Sequence, residues 1–215
     1  RFRPGPRLVH VVFVPVTRDQ LLPALIEGRG DVAMANLTIT PARAAQVAFT
    51  TPLFSEAREV VVTAPGAPPL READDLSGRE VFVRASSSYA ESLAELDRGL
   101  RAKGRPPVRV VHVDERLEDE DILEMVDAGL LPATVVDAYV ARLWAEVLPG
   151  MKVHDDVALR TGGRIAWAVR PEDTKLHAFV DDFARASSLK LMLDGRNIDS
   201  FKLLGSRAAV AAINQ

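Results

Sequence analysis

The sequence predicts an α/β protein with mostly parallel strands, arranged as two linked units. Short apolar runs alternate with amphipathic segments along the chain, a pattern typical of strands that are joined by helices. A stretch rich in Pro and Gly, residues 64–69, interrupts this alternation and marks the boundary of the second unit. A second crossover near residues 158–163 leads back to the first unit. We therefore expect two lobes that share two hinge strands, with a cleft between them.

In the first unit, strands are predicted at residues 8–14, 31–36 and 60–63, the second of them buried. A helix is predicted between Thr17 and Gly28. Thr17 and Gln20 have the spacing of a capping box, Gly28 suits the left-handed turn after a helix, and Pro23 is expected to kink the helix.

The rest of the chain has the same alternation. Strands are predicted at 80–84, 108–113, 133–136 and 165–169, with residues 151–158 extended. Helices are predicted at 87–103, at 120–128, from Asp137 onward, and from about residue 173 to 186 and on through the C-terminus.

Composition excludes several classes of function. Hydrophobic residues make up 47% of the chain and charged residues 27%, and the formal net charge of −3 favours neither nucleic acid nor an anionic membrane. Cysteine is absent, which rules out disulfides and thiolate chemistry. The four histidines are scattered and have no metal-ligand spacing, so we expect no metal site and no cofactor.

A polar cluster follows the strand predicted at 31–36. Asn36, Thr38 and Arg43 lie where that strand ends, and open α/β sheets bind ligands at the carboxyl ends of their strands. Thr40 can cap a short helix that begins at Pro41, and Arg43 offers a bidentate fork for a carboxylate. A plain capped helix with a surface arginine explains the same residues, and the sequence leaves both readings open.

Two further polar sites follow strands of the second unit. Ser86, Ser87 and Ser88 precede Tyr89 at the start of a helix, and Asp137 follows the strand at 133–136. Each could be a simple N-cap. Taken together with Arg43, they could instead converge on a zwitterion, with Arg43 binding its carboxylate and Asp137 its ammonium group.

Several segments resemble the signature of family 3 periplasmic solute-binding proteins. They are LIEGRGDVAMANLTITPAR (25–43), VAFTTPLF (47–54), LSGREVFVRASSSY (76–89) and DAGLLPATVVD (127–137). Within the family, the chain is most similar to the solute-binding-like regulatory domain of membrane-bound lytic murein transglycosylase F. The resemblance covers nearly the whole chain.

The resemblance implies a type II periplasmic-binding-protein-like fold. Lobe 1 would comprise residues 1–63 and 164–215, and lobe 2 residues 64–163. The chain begins near the family's second strand, so we expect lobe 1 to lack the family's N-terminal strand and helix.

The resemblance also assigns binding roles. The positions of Thr38 and Arg43 bind the ligand's α-carboxylate in the family, with Asn36 beside them. Ser87 and Ser88 match hydroxyls that reach the same carboxylate, and Asp137 matches the aspartate that binds the amine. Tyr89 is expected to line the cleft. The chain departs from the family pattern at Ala42, Ser86 and Pro132.

The expected function is binding of an amino-acid-like ligand or a peptidoglycan-derived stem peptide in the periplasm, in a protein that could be membrane-anchored. The implied partner is a fused or separate transglycosylase. An amino-acid receptor of an ABC transporter is the alternative, followed by a dehydratase on the same fold. No paired carboxylates support catalysis, so no catalytic residue is predicted. A transcription-regulator effector domain shares the fold, but no DNA-binding helices are evident.

Overall fold

The computed structural model describes residues 11–186. Its strands are β1 (Val32–Thr38), β2 (Ala48–Phe49), β3 (Phe54–Thr63), β4 (Glu80–Arg84), β5 (Arg109–Val113), β6 (Ala133–Asp137) and β7 (Lys152–Val169). Its α-helices are α1 (Arg18–Ile26), α2 (Pro41–Ala44), α3 (Ser88–Ala102), α4 (Asp119–Asp127), α5 (Ala138–Ala145) and α6 (Thr174–Ala186), and a 3₁₀ turn spans Ala73–Leu76. None of the helices in this part of the chain is both long and apolar enough to cross a membrane.

All of the strands belong to one open sheet, in the order β1-β7-β3-β6-β4-β5, with β2 also paired to β7. The predicted α/β class is confirmed. The prediction of mostly parallel strands is wrong, because only the β4 pairs with β5 and β6 are parallel. The pairs that β3 and β7 form are antiparallel.

The long strands β3 and β7 connect the two ends of the sheet. Residues 165–169 of β7 pair with β1 and β2, whereas its beginning, from Lys152, pairs with β3. Each end of the sheet has its own apolar cluster. The larger includes Leu93 and Leu123, and the smaller includes Leu25 and Leu37. The predicted lobe boundaries, 1–63 with 164–215 and 64–163, stay a prediction.

Two local predictions are wrong. Residues 11–14 lie outside any strand, and their apolar side chains are exposed; residues 8–10 lie outside the described part of the chain. Thr17 precedes α1 without capping it, because its hydroxyl donates to Asp19 instead. The crossover predicted near residues 158–163 falls within β7, which pairs with β3 from its beginning and with β1 at its end. The predicted C-terminal helix beyond residue 186 lies outside the described residues.

Other predictions match closely. Pro23 lies inside α1, and the helix ends before Gly28, whose φ is +76°. The strand predicted at 80–84 coincides with β4. The strand predicted as buried at 31–36 corresponds to β1, although Met34 in its middle is 52% exposed.

The pairing of β3 with β7 is irregular where the two ends of the sheet meet. The register shifts on both sides of Ala57, and Glu56 has a φ of +70°, which is rare for a residue with a side chain. Gly163 lies opposite Ala57, where an added Cβ would be 3.1 Å from the Ala57 carbonyl oxygen. This close approach favours glycine and occurs where the two strands meet at the expected hinge.

We predict that Gly163→Ala destabilises the protein by about 1–3 kcal/mol, because the new methyl group would press on the backbone of β3. Urea unfolding checks this. Gly30→Ala is the matched control, since an added Cβ there meets nothing within 4 Å, and its effect should stay within about 0.5 kcal/mol. Equal effects of the two substitutions would contradict the tight hinge contact.

Candidate ligand-binding site

A cavity of about 540 Å³, within the range of small-molecule sites, lies among the described residues. Every side chain that the sequence predicted for binding lines it. These are Asn36, Thr38, Arg43, Ser87, Ser88, Tyr89 and Asp137. The structure therefore brings the predicted residues together, while their binding roles stay a prediction.

Asn36 and Thr38 reach the cavity through an irregularity in β1. The register of β1 against β7 shifts between Ala33 and Leu37, and Asn36 has a φ of +50°. Asparagine tolerates this left-handed conformation better than most residues, and a bulge changes the direction in which nearby side chains point. The bulge thus occurs where the strand meets the cavity.

Arg43 is held in place by carbonyl groups from both sides of the cavity. Its Nη1 donates to the Thr38 carbonyl oxygen at 3.0 Å, and its Nη2 donates to that of Ser86 at 2.8 Å. The Thr40 hydroxyl accepts from the Arg43 backbone N–H, so the predicted cap of α2 is confirmed. Burial lowers the pKa of Arg43, because the charged guanidinium is removed from water.

The guanidinium of Arg43 is oriented by carbonyl groups and has one long ion pair. The two carbonyls use two of its five N–H groups. Its nearest carboxylate partner, Glu91, is 4.0 Å from Nε. The remaining donors could therefore receive a ligand carboxylate.

The serines at the start of α3 have different roles. The Ser87 hydroxyl caps α3 by accepting from the Ala90 N–H at 3.2 Å, and it donates to the Arg84 carbonyl oxygen at 2.7 Å. Ser86 donates to Glu115 at 2.6 Å. The N-cap reading is thus correct for Ser87, whereas Ser88 is buried at the cavity within the first turn of α3.

Asp137 is at the N-cap position of α5, but its carboxylate does not cap the helix. Its side chain is buried, and Oδ1 has no hydrogen-bond partner in the structure. Oδ2 is 3.3 Å from the Tyr89 hydroxyl, which is also 3.2 Å from Asp119 Oδ2. Because a tyrosine has one O–H proton, it can donate to only one of these carboxylates at a time. Among the described residues, the side-chain hydroxyls that reach Asp137 are those of Tyr89 and Tyr139.

The surroundings of Asp137 oppose its ionisation. Burial, reinforced by the negative charges of Glu59 and Asp119, raises the pKa of Asp137 to about 7. The pKa of Tyr89 is raised well above its usual value, first by burial and then by Asp119 and Asp137. A cation beside Asp137 would relieve this repulsion and favour the carboxylate form.

Sequence reasoning missed a layer of charged and aromatic residues around the cavity. Asp119 is held by Arg84, whose guanidinium donates to it and to the Leu117 carbonyl oxygen. The acidic run that contains Asp119 was the available signal, but it also suits a plain helix N-terminus. Other lining residues that were not predicted are Arg18, Glu120, Tyr139, Arg142, Trp144 and Glu146.

Polar contacts join the two sides of the cavity. Arg18 donates to the Ala35 carbonyl oxygen at 2.7 Å and pairs with Glu118 at 2.7 Å. Thr40 donates to Glu91 at 3.1 Å. Together with the bond from Arg43 to Ser86, these contacts hold residues of β1 and α2 against α3 and α4.

This mixed α/β fold with one open sheet matches that of type II periplasmic binding proteins. A sequence profile of the bacterial extracellular solute-binding proteins, family 3, matches residues 5–189. The chain belongs to this family.

Curated relatives carry the name membrane-bound lytic murein transglycosylase F. The one from Ectopseudomonas mendocina is 32% identical over 171 residues, which are 79% of this chain and 33% of that protein. The one from Shewanella pealeana is 26% identical, over 91% of this chain and 40% of that protein. The chain therefore spans about a third to two-fifths of these relatives.

Solved amino-acid-binding proteins have a similar fold. An ancestral arginine-binding protein bound to arginine has a TM-score of 0.68 and 27% identity, over 89% of this chain and 78% of that one. An amino acid ABC transporter substrate-binding protein from Streptococcus pneumoniae bound to L-arginine has a TM-score of 0.72 over 88% of this chain and 75% of that one. Its 18% identity supports the fold alone.

Replacing Asp137 should change how stability depends on pH. The folded-state pKa of about 7 is above the model-peptide value of 3.8, so this group costs stability progressively as pH rises from about 4 to 7. Asp137→Asn removes that cost. Without ligand, Asp137→Asn should raise the free energy of unfolding relative to wild type. This increase should be on the order of 2 kcal/mol larger at pH 8 than at pH 5.

Urea unfolding at the two pH values measures this difference. Asp114→Asn is the control, because Asp114 lies on the surface and pairs with Arg116 outside the cavity. An equal increase in the free energy of unfolding at pH 5 and pH 8 would contradict the raised pKa of Asp137.

Proposed function

We propose that this chain is an extracytoplasmic binding module that closes on a ligand with a carboxylate and an ammonium group. The observation that carries the proposal is Asp137 Oδ1, a buried carboxylate oxygen without a hydrogen-bond partner in a cavity that Arg43 also lines. A buried acceptor of this kind favours a ligand that supplies donors and positive charge.

Arg43 and Asp137 suit the two ends of a zwitterion. Arg43 is fixed by two carbonyls and retains N–H donors for a carboxylate. An ammonium group brings three donors to Asp137, enough to satisfy Oδ1 and to release the Tyr89 proton for Asp119. Because residues from both sides contribute, ligand binding would favour the closed arrangement.

We further propose that the ligand is an amino acid or a peptidoglycan-derived stem peptide, and that the module regulates a lytic transglycosylase in the periplasm. Curated relatives named membrane-bound lytic murein transglycosylase F, at 32% and 26% identity, support this context. On this proposal the chain itself does no catalysis, and the transglycosylase activity belongs to a fused or partner domain.

The second candidate is an amino-acid receptor of an ABC transporter. It is favoured by the likeness to an ancestral arginine-binding protein, at 27% identity and a TM-score of 0.68. In both candidate functions, Arg43 and Asp137 bind the charged groups of the ligand. The candidates differ in the part of the ligand beyond its α-carbon. The cavity of about 540 Å³ extends along α5 to Trp144 and Glu146, so ligand size can distinguish them.

A thermal-shift panel of free L-amino acids and peptidoglycan stem peptides tests the proposal. A ligand present at 100 times its dissociation constant should add about 2.7 kcal/mol. For a chain of this size, the midpoint should rise by roughly 5–10 °C. A rise with stem peptides alone supports the cell-wall context, and a rise with a single amino acid supports the receptor. No rise with any member would contradict both.

Arg43→Lys and Asp137→Asn should each weaken binding of the active ligand by roughly tenfold or more, since each loses a charge-assisted contact. Isothermal titration calorimetry measures the affinities. The matched controls are Arg116→Lys and Asp114→Asn, an exposed ion pair outside the cavity. Wild-type affinity in both cavity variants would refute the assignment of the anchors.

A further inference from the structure

A buried carboxylate of the hinge, Glu59, lies beside the cavity without lining it. It is 1% exposed, and it occurs in β3 just before the apolar run Val60, Val61 and Val62. Its Oε2 accepts from the Ser92 hydroxyl, and its Oε1 has no hydrogen-bond partner. An acidic side chain this deep in a core strand is costly unless its charge is balanced.

The strand register places Glu59 between two charged residues. It is opposite Asp137 of β6 on one side and opposite Arg160 of β7 on the other. Directly opposite residues of antiparallel strands point to the same face, with Cβ atoms about 4.5–5.5 Å apart. Arg160 Nη1 is 3.8 Å from Glu59 Oε1. The side chains of Asp137, Glu59 and Arg160, two acidic and one basic, therefore form a row across β6, β3 and β7.

We propose that Glu59 is a positioning residue for ligand recognition, which acts together with Arg160 on the charge of Asp137 across the three paired strands. Glu59 disfavours the Asp137 carboxylate by repulsion, and Arg160 partly offsets it. When an ammonium group arrives, the same Glu59 charge attracts it. The inference rests on the proposed function in that Asp137 is taken as the ammonium anchor.

The other titratable groups that face Asp137 are Asp119 of α4, Tyr89 of α3 and Tyr139 of α5. Asp119 is paired with Arg84 of β4, Tyr89 is within hydrogen-bond distance of both aspartates, and Tyr139 interacts with Asp137 itself. Glu59 and Arg160 are thus the pair on adjacent strands whose removal changes the charge beside Asp137 without removing a group that lines the cavity.

The test follows the Asp137 carboxyl carbon by ¹³C NMR during a pH titration of the ligand-free protein, with Asp137→Asn used to assign its signal. Glu59→Gln keeps a hydrogen-bonding partner for Ser92, and it should lower the Asp137 midpoint by about 1 pH unit. Arg160→Gln should raise it by about half a unit or more. Shifts of opposite sign are the signature of charge, since a general loosening of the hinge would move both variants in the same direction.

The matched controls are Glu80→Gln and Arg109→Gln, an exposed pair 3.7 Å apart at the start of β4 and β5, and both should leave the midpoint unchanged. An unchanged midpoint in Glu59→Gln, or a lowered one in Arg160→Gln, would overturn the inference. If Glu59→Gln fails to fold, the direction of the Arg160→Gln shift still decides it. Because no ligand is present, the result is independent of whether the proposed amino acids or peptides bind.

Discussion

The shortage of hydrogen-bond donors at Asp137 is the constraint on which the cavity depends. Oδ1 has no hydrogen-bond partner, Oδ2 shares the Tyr89 proton with Asp119, and Tyr139 also interacts with this carboxyl. Burial of a carboxylate with so few donors is unfavourable. On the proposed function, a cationic ligand group beside Asp137 would offset this cost.

The pairing of β6, β3 and β7 places Asp137 in these surroundings. β6 ends at Asp137 and pairs with β3, and β3 in turn pairs with β7, so the anchor lies in the same sheet as the hinge. The irregular pairing around Ala57 and Gly163 lies next to the charged row of Glu59 and Arg160. If the proposed closure occurs at this irregular pairing, it lies next to the charges that surround Asp137, so closure and binding could be coupled.

Much of the site could be predicted from the sequence, because polar residues that follow buried strands emerge at one edge of a sheet. Asn36, Arg43 and Asp137 were found in this way, and the structure places them around one cavity. For Ser87, the local N-cap role and the predicted site coincide, and only the structure shows that the cap uses its hydroxyl.

The parts that could not be predicted depend on long-range pairing. Arg18 contacts Glu118 across the cavity, and nothing in the sequence near either residue indicates the other. Glu59 was visible as an acid within an apolar run, but its neighbours follow from a strand register that the sequence does not display. Residues 11–14 have strand-like composition, yet they have no strand pairing in the structure and remain exposed. Composition alone did not distinguish a paired strand from an unpaired segment.

Proton release on ligand binding tests the central claim most directly. An ammonium group that pairs with Asp137 forces its carboxyl to ionise, so the proton held in the empty protein must leave. Calorimetric titrations in buffers of different ionisation enthalpy, with L-arginine or the stem peptide that stabilises the protein most, measure this release. With a pKa of about 7 for Asp137, close to one proton should be released at pH 6 and almost none at pH 8.5. Absence of release at pH 6, or the same release from Asp137→Asn, would contradict the account.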